Sequence, residues 1–182
     1  MDIKAIRAKI EELEKDRLPP NIQRETIECI IGSIEFFDEK RVLEIGTFQG
    51  YSALWFASVA DEVVTIEVMQ DSYETALKNL TGVENVTAML GNAFDIIEEL
   101  KNQGKKFNII LIDGKKEEYA DYLEAVLDVL DDEFMIFVDN TISHKEVIGN
   151  FFEHLKRYDD TFVWKEMNLG RGLIVIKKKV KQ

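Results

Sequence analysis

Apolar positions along the chain first recur at helical spacing and then switch to short, dense runs. Ile3, Ile6, Ile10 and Leu13 stand among charges over residues 2–16, which predicts an amphipathic helix. Leu18-Pro19-Pro20 should end it, because proline brings no N–H to a helix interior and restrains the residue before it. Ile22, Ile27, Ile30, Ile31 and Ile34 predict a second helix. From Arg41 the period changes. Strand-like runs over 41–45, 62–67, 85–89, 107–112, 133–138, 160–166 and 172–178 alternate with amphipathic stretches over 51–60, 70–80, 93–102, 116–130 and 143–157. That alternation predicts an α/β chain, with a mostly parallel sheet and helices on both faces. The runs IILI (109–112) and FMIFV (134–138) are apolar on both parities, as strands covered on both faces must be. The last two strands are joined by Asn168-Leu169-Gly170-Arg171-Gly172 with no helix between, which predicts an antiparallel hairpin at the sheet edge. The expected organisation is one domain over 1–182, with a helical appendage (1–37) on a core (41–178). The KKKVKQ tail is expected to be a solvated end.

Composition narrows the function classes. With 182 residues, the chain can bury a full core without staples. Its 23 Lys and Arg against 35 Asp and Glu give a net charge of −12, which repels phosphate backbones and counts against a nonspecific nucleic-acid binder. A local basic patch remains compatible with that charge. One cysteine, Cys29, excludes an intrachain disulfide and a cysteine-based metal site. No apolar run reaches about 18 residues. The N-terminus has no signal-peptide core. The expectation is a cytoplasmic protein with no membrane partner.

In an open α/β sheet, ligands bind beyond the carboxyl ends of the strands, so the residues following each strand carry the information. The first strand runs into Glu44-Ile45-Gly46-Thr47-Phe48-Gln49-Gly50-Tyr51-Ser52 and opens a helix. Gly46 and Gly50 allow a sharp turn and close backbone approach, and free N–H groups at the helix start suit a carboxylate or phosphate. The spacing is GxxxG, so the GxGxxG dinucleotide fingerprint is absent, and the segment also suits a turn that binds nothing. Glu67, followed by Val68, lies 21 positions past Gly46, where an acid can accept both hydroxyls of a ribose; an ordinary exposed carboxylate is the alternative. Gly91, Asn92 and Ala93 leave room for a flat base, although Asn92 equally suits a helix N-cap. Asp113 follows the fourth strand, and Asp139 and Asn140 the fifth. If those strands are neighbours, three hard oxygen donors converge, which suits Mg²⁺ or Ca²⁺; helix capping is the alternative. Lys116 is either a solvated lysine or, beside a metal, a group acting on an acidic hydroxyl.

The segments VLEIGTFQGYSALWFA (42–57), VVTIEV (63–68), FNIILIDGKKEEYADYL (107–123) and FMIFVDNT (134–141) resemble the metal-dependent class I O-methyltransferases. That family includes catechol and caffeoyl-CoA O-methyltransferases and bacterial and archaeal relatives, some acting on tRNA. The resemblance runs from about residue 22 to the end. It implies a Rossmann-like seven-stranded sheet with an antiparallel last strand, and S-adenosylmethionine as cofactor. It puts Glu44, Gly46, Thr47, Phe48, Gly50, Ser52, Glu67, Val68, Gly91, Asn92, Ala93 and Asp113 on the cofactor, with Ser52 holding the methionine carboxylate and Glu67 the ribose. It makes Asp113, Asp139 and Asn140 ligands of a divalent metal, Mg²⁺ by expectation, and Lys116 the catalytic lysine beside Asp113. Two departures matter. The link from Asn140 to the next helix is short, and the position where animal catechol enzymes carry an acid falls near Asn168 and holds none. Both point to an open acceptor site, or one completed by a second subunit in a homodimer. The implied reaction is methyl transfer to a hydroxyl of a small hydroxylated molecule. Methylation of a modified tRNA nucleoside and cofactor binding without turnover are the other readings.

Overall fold

A computed structural model describes residues 1–15 and 21–179. The Leu18-Pro19-Pro20 break and residues 180–182 of the basic tail lie outside the described residues. The helices are α1 (Ile3–Lys15), α2 (Arg24–Ser33), α3 (Tyr51–Ala57), α4 (Gln70–Asn79), α5 (Ala93–Asn102), α6 (Tyr119–Val126) and α7 (Gly149–Lys156). The strands are β1 (Arg41–Ile45), β2 (Glu62–Glu67), β3 (Val86–Leu90), β4 (Phe107–Ile112), β5 (Leu130–Asp139), β6 (Phe162–Met167) and β7 (Leu173–Lys178).

The seven strands form one sheet in the order β3-β2-β1-β4-β5-β7-β6. Pairings β1–β2, β2–β3, β1–β4 and β4–β5 are parallel, and β7 runs antiparallel to both β5 and β6. The order reverses at β1/β4, so the chain leaves β1 to one side and β4 to the other, opening a crevice at their carboxyl ends.

Alternation along the strands builds two cores. Leu43, Ile45, Ile110, Ile112, Ile136 and Val138 face α5, α6 and α7. Val42, Ile109, Leu111, Met135 and Phe137 face the other layer, with α1 to α4. Every residue of β4 is buried, which accounts for its apolar character on both parities. The N-terminal helices belong to the second core: Ile6 and Ile10 of α1 and Ile27 and Ile30 of α2 pack with Tyr51, Leu54 and Phe56 of α3. Lys9 Nζ donates to the carbonyls of Asn79 (2.7 Å) and Thr81 (3.1 Å), tying α1 to the end of α4.

Several boundaries differ from the sequence pattern; α3, expected over 51–60, ends at Ala57. The stretch 116–130 is a 3₁₀ turn (Lys116–Glu118), α6, and a second 3₁₀ turn (Leu127–Val129). β5 begins at Leu130, where Leu130 pairs with Phe107 before a register shift. The helix expected over 143–157 is confined to Gly149–Lys156. The N–H groups of Ile142 and Ser143 both donate to Arg171 O, at 3.1 and 2.9 Å, so that segment is tied to the β6–β7 hairpin.

Candidate active site

The β1–α3 turn is built by two left-handed glycines and one left-handed Phe48. Gly46 has φ +102°, Phe48 +47° and Gly50 +79°, and Gly50 is the N-cap of α3. Glu67, at the end of β2, holds this turn. Its Oε2 accepts from Phe48 N–H at 2.8 Å, and its Oε1 accepts from Val68 and Met69 N–H, each at 2.9 Å. The two N–H groups fill Oε1, and Oε2 keeps one further acceptor site. Behind the turn, Thr47 Oγ1 and Thr65 Oγ1 are 2.5 Å apart, and Thr65 Oγ1 donates to Glu44 Oε2 at 2.6 Å. Glu44 is fully buried, its Oε1 has no hydrogen-bond partner, and burial pushes its carboxyl up to about 7 against the opposing hydroxyls of Ser52 and Thr65. Asn92 is indeed an N-cap, with Oδ1 accepting from Phe94 N–H at 2.8 Å.

Asp113 and Asp139 sit at the ends of the adjacent strands β4 and β5. Lys116 Nζ donates to Asp113 Oδ1 at 2.6 Å and to Tyr119 Oη at 2.7 Å, and Tyr119 Oη donates to Asp139 O at 3.1 Å. Asn140, at φ +66°, donates through Nδ2 to Asp139 Oδ2 at 2.6 Å, so its Oδ1 is the amide atom left for a ligand. Asp139 Oδ1 is buried without a partner. Burial raises the Asp113 carboxyl, opposed by Lys116 and then by Arg171 and His144. Asp139 is pushed up to about 7 by burial and then by the charge of Asp113. Burial also holds the Tyr119 hydroxyl well above the usual phenol range.

Among the described residues, no group of three or more His, Cys, Asp or Glu is gathered to hold a metal ion. The candidate set is two carboxylates and an amide. Two crowded acids, Asp139 buried with an orphaned oxygen and Asp113 partly exposed on the cavity, are nevertheless what a hard divalent cation would satisfy.

A cavity of about 540 Å³ joins the two ends. Gly46, Thr47, Phe48, Ser52, Glu67 and Val68 line one part. Gly91, Asn92 and Ala93 line the next, and Asp113, Lys116 and Asn140 the other end. Glu44, Gly50 and Asp139 stand outside the lining: Glu44 lies behind Thr47, Gly50 packs on Leu80, and Asp139 is covered by Asn140. The sequence reads His144 as structural and Ile22 as part of a helix stripe, and it gives no site role to Tyr119, Arg171 or Asn21. Tyr119 sits in the IDGKKEEY segment, so that signal was present. Asn21 and Ile22 reach the cavity from the residues before α2.

The O-methyltransferase family model matches residues 19–170. The chain is 36% identical over 98 residues to a protein-L-isoaspartate O-methyltransferase of Nitrobacter winogradskyi, covering 52% of this chain and 43% of the relative. It is 33% identical over 136 residues to a catechol O-methyltransferase of Mycobacterium tuberculosis, covering 71% and 60%. The chain thus spans about half the length of these curated relatives. The fold matches the O-methyltransferase TomG from Streptomyces achromogenes, solved in complex with SAM, with TM-score 0.81 and 21% identity over 97% of this chain and 90% of that one. Among the described residues no helix is long and apolar enough to cross a membrane. A crevice at the β1/β4 reversal, a match over most of the chain and a shared fold converge on one assignment: this chain belongs to the O-methyltransferase family.

Proposed function

We propose that the protein transfers a methyl group from S-adenosylmethionine to a hydroxyl of a small hydroxylated acceptor, with a divalent cation, Mg²⁺, at Asp113, Asp139 and Asn140. The observation that carries this reading is the single cavity bounded by the Gly46–Phe48 turn and Glu67 on one side and by Asp113, Lys116 and Asn140 on the other. When bound, the cofactor supplies a methyl on a sulfonium, and the cation polarises the acceptor oxygens.

The chain's own residues bind and orient. The turn leaves N–H groups at the start of α3 for the methionine carboxylate, with Ser52 beside them. Glu67 accepts the ribose hydroxyls, and Asn92 and Ala93 flank the adenine. Lys116 Nζ, fixed by Asp113 and Tyr119, is the donor for the ionised acceptor oxygen and relays the proton lost from the hydroxyl to solvent water at the open cavity. A sulfonium methyl would need little leaving-group help, so orienting the acceptor oxygen is the main lever these residues supply.

Calorimetric titration of S-adenosylhomocysteine, with and without Mg²⁺, tests the cofactor half. Saturable one-to-one binding is expected. Absence of binding, in protein that mass spectrometry shows to carry no cofactor, would overturn the proposal.

A further inference from the structure

Lys115, Glu118 and Tyr122 line the cavity, and the proposed chemistry uses none of them. All three come from the turn after β4 and the start of α6. They form one unit. Lys115 Nζ donates to Glu118 Oε1 at 2.7 Å, Tyr122 Oη donates to Glu118 Oε2 at 2.7 Å, and Glu118 N–H donates to Lys115 O at 3.1 Å. Tyr122 is buried and stacks on Phe94, with ring centroids 5.2 Å apart, which brings the unit against the segment after β3. A Cβ on Gly114 would stand 3.1 Å from Tyr122 Cε2, so no side chain intervenes between the end of β4 and the ring. Burial and then Glu118 raise the Tyr122 hydroxyl above the usual phenol range, and the charge of Glu67 adds to this. The unit therefore stands on the Glu67 and Ala93 side of the cavity.

A base beside Ala93, with its ribose on Glu67, brings a polar edge that needs partners. Side chains of the segment after β3 supply no acceptor for it. Asn92 Oδ1 is taken by Phe94 N–H, and Ala93 and Phe94 carry no polar side-chain atom. Glu118 supplies what is missing. Each of its oxygens has one donor, so each keeps one further acceptor site. Lys115 and then Tyr122 hold its carboxyl below the usual range, so at neutral pH it accepts and does not donate. Its side chain is 29% exposed, so those remaining sites are open to a ligand. A 6-amino group on a purine gives the N–H that such an acceptor needs. A 6-oxo group sets a second acceptor against it.

We propose that Glu118, steadied by Lys115 and Tyr122, selects a 6-aminopurine cofactor by accepting from its exocyclic amine. The base edge is then read from the β4–α6 side of the cavity and not by side chains of the segment after β3. The inference rests on the cofactor reading above.

The test compares S-adenosylhomocysteine with S-inosylhomocysteine, its 6-oxo counterpart, by calorimetry on protein freed of cofactor. The parent should favour the adenosyl compound by roughly tenfold or more. Glu118→Gln presents an amide N–H to the oxo group. It should bind the inosyl compound more tightly than the parent does and bring the two affinities to within about threefold of each other. A residue that only supports the turn would weaken both compounds together and leave their ratio unchanged. Tyr122→Phe, which frees the carboxylate to turn away, should lower the preference by a smaller factor. Melting temperatures report the folding of each variant, and Tyr122→Phe decides alone if Glu118→Gln does not fold. Parent affinities within about twofold of each other overturn selection by Glu118. So does a preference that survives the variants. Both results leave the cofactor reading standing, because the adenosyl compound still binds. If neither compound binds the parent, the cofactor reading falls and this inference falls with it.

Discussion

Gly46 lies so close to Asp113 that a Cβ on the glycine would stand 2.4 Å from the Asp113 carbonyl oxygen. Its φ of +102° adds backbone strain for any other residue. Asp113 N–H donates to Ile45 O at 2.9 Å, so the turn after β1 and the carboxylate after β4 are one mechanical unit. Gly46→Ala should therefore damage both ends of the cavity, at a strain cost of about 1–3 kcal/mol before any backbone shift. The expected result is a lowered melting temperature with loss of S-adenosylhomocysteine binding by roughly tenfold or more. A variant with unchanged affinity would show that the contact yields easily.

Lys116 is held by two partners, one of them the buried Tyr119. Lys116→Met should reduce kcat by about 10²–10⁴ with little change in cofactor affinity, the usual range for a lost proton-transfer group. Tyr119→Phe, which keeps the ring and removes the hydroxyl, should lower kcat by a smaller factor and leave KM for the cofactor unchanged. Stopped-flow or steady-state assays with labelled cofactor separate these outcomes. Full turnover by Lys116→Met would remove the lysine from the chemistry.

Metal dependence is tested directly at Asp113 and Asp139. Asp113→Ala should abolish metal-stimulated turnover, and Asp139→Asn should weaken Mg²⁺ binding. Excess chelator should reproduce the Asp113→Ala phenotype in the unmodified protein. Wild-type rates in excess chelator would mean that the orphaned Asp139 oxygen has another use.

Glu44 gives a pH signature in stability. Its folded carboxyl is pushed up to about 7 from a usual value of 4.5, chiefly by burial. The folded state therefore favours the protonated form. The contribution of that form is fully present below about 4.5 and is lost as pH rises through about 7. Glu44→Gln removes the titration. Denaturant melts should show the variant gaining on the parent between those values, by an amount on the order of 1–3 kcal/mol at pH 8. Parallel stability curves for the two proteins across that range would contradict the assignment.

Much of this architecture is legible in the chain because the buried strands are apolar on both parities, as in Phe107–Ile112. The ligand candidates were legible for a topological reason: each follows a strand whose carboxyl end meets the crevice. Other features were set by contacts distant in sequence. The start of β5 was obscured by Asp131 and Asp132, whose charges do not read as strand. The start of α7 was obscured because Arg171 O takes the N–H of Ser143, the first residue of the stretch that periodicity assigned to a helix. Arg171 meets the segment after Asn140 only through that same clamp, so no local pattern announces the contact. Glu67 was read as a ribose acid, but its hold on Phe48 N–H becomes visible only when β1 and β2 are side by side.

The insertion of β7 between β5 and β6 bears on how the molecule is made. Synthesis delivers β6 before β7, yet β6 has no place beside β5 and must wait at the margin until the final strand arrives to bridge them. The carboxyl end of β5, with Asp139, keeps an open edge through that interval, an invitation to mispairing. A ribosome-bound chain stalled short of Leu173 would thus display the glycine turn and β1–β4 but lack the wall that shelters Asp139. Cofactor affinity should mature during translation before acceptor affinity does, and a protease that clips β7 should silence the acceptor end first.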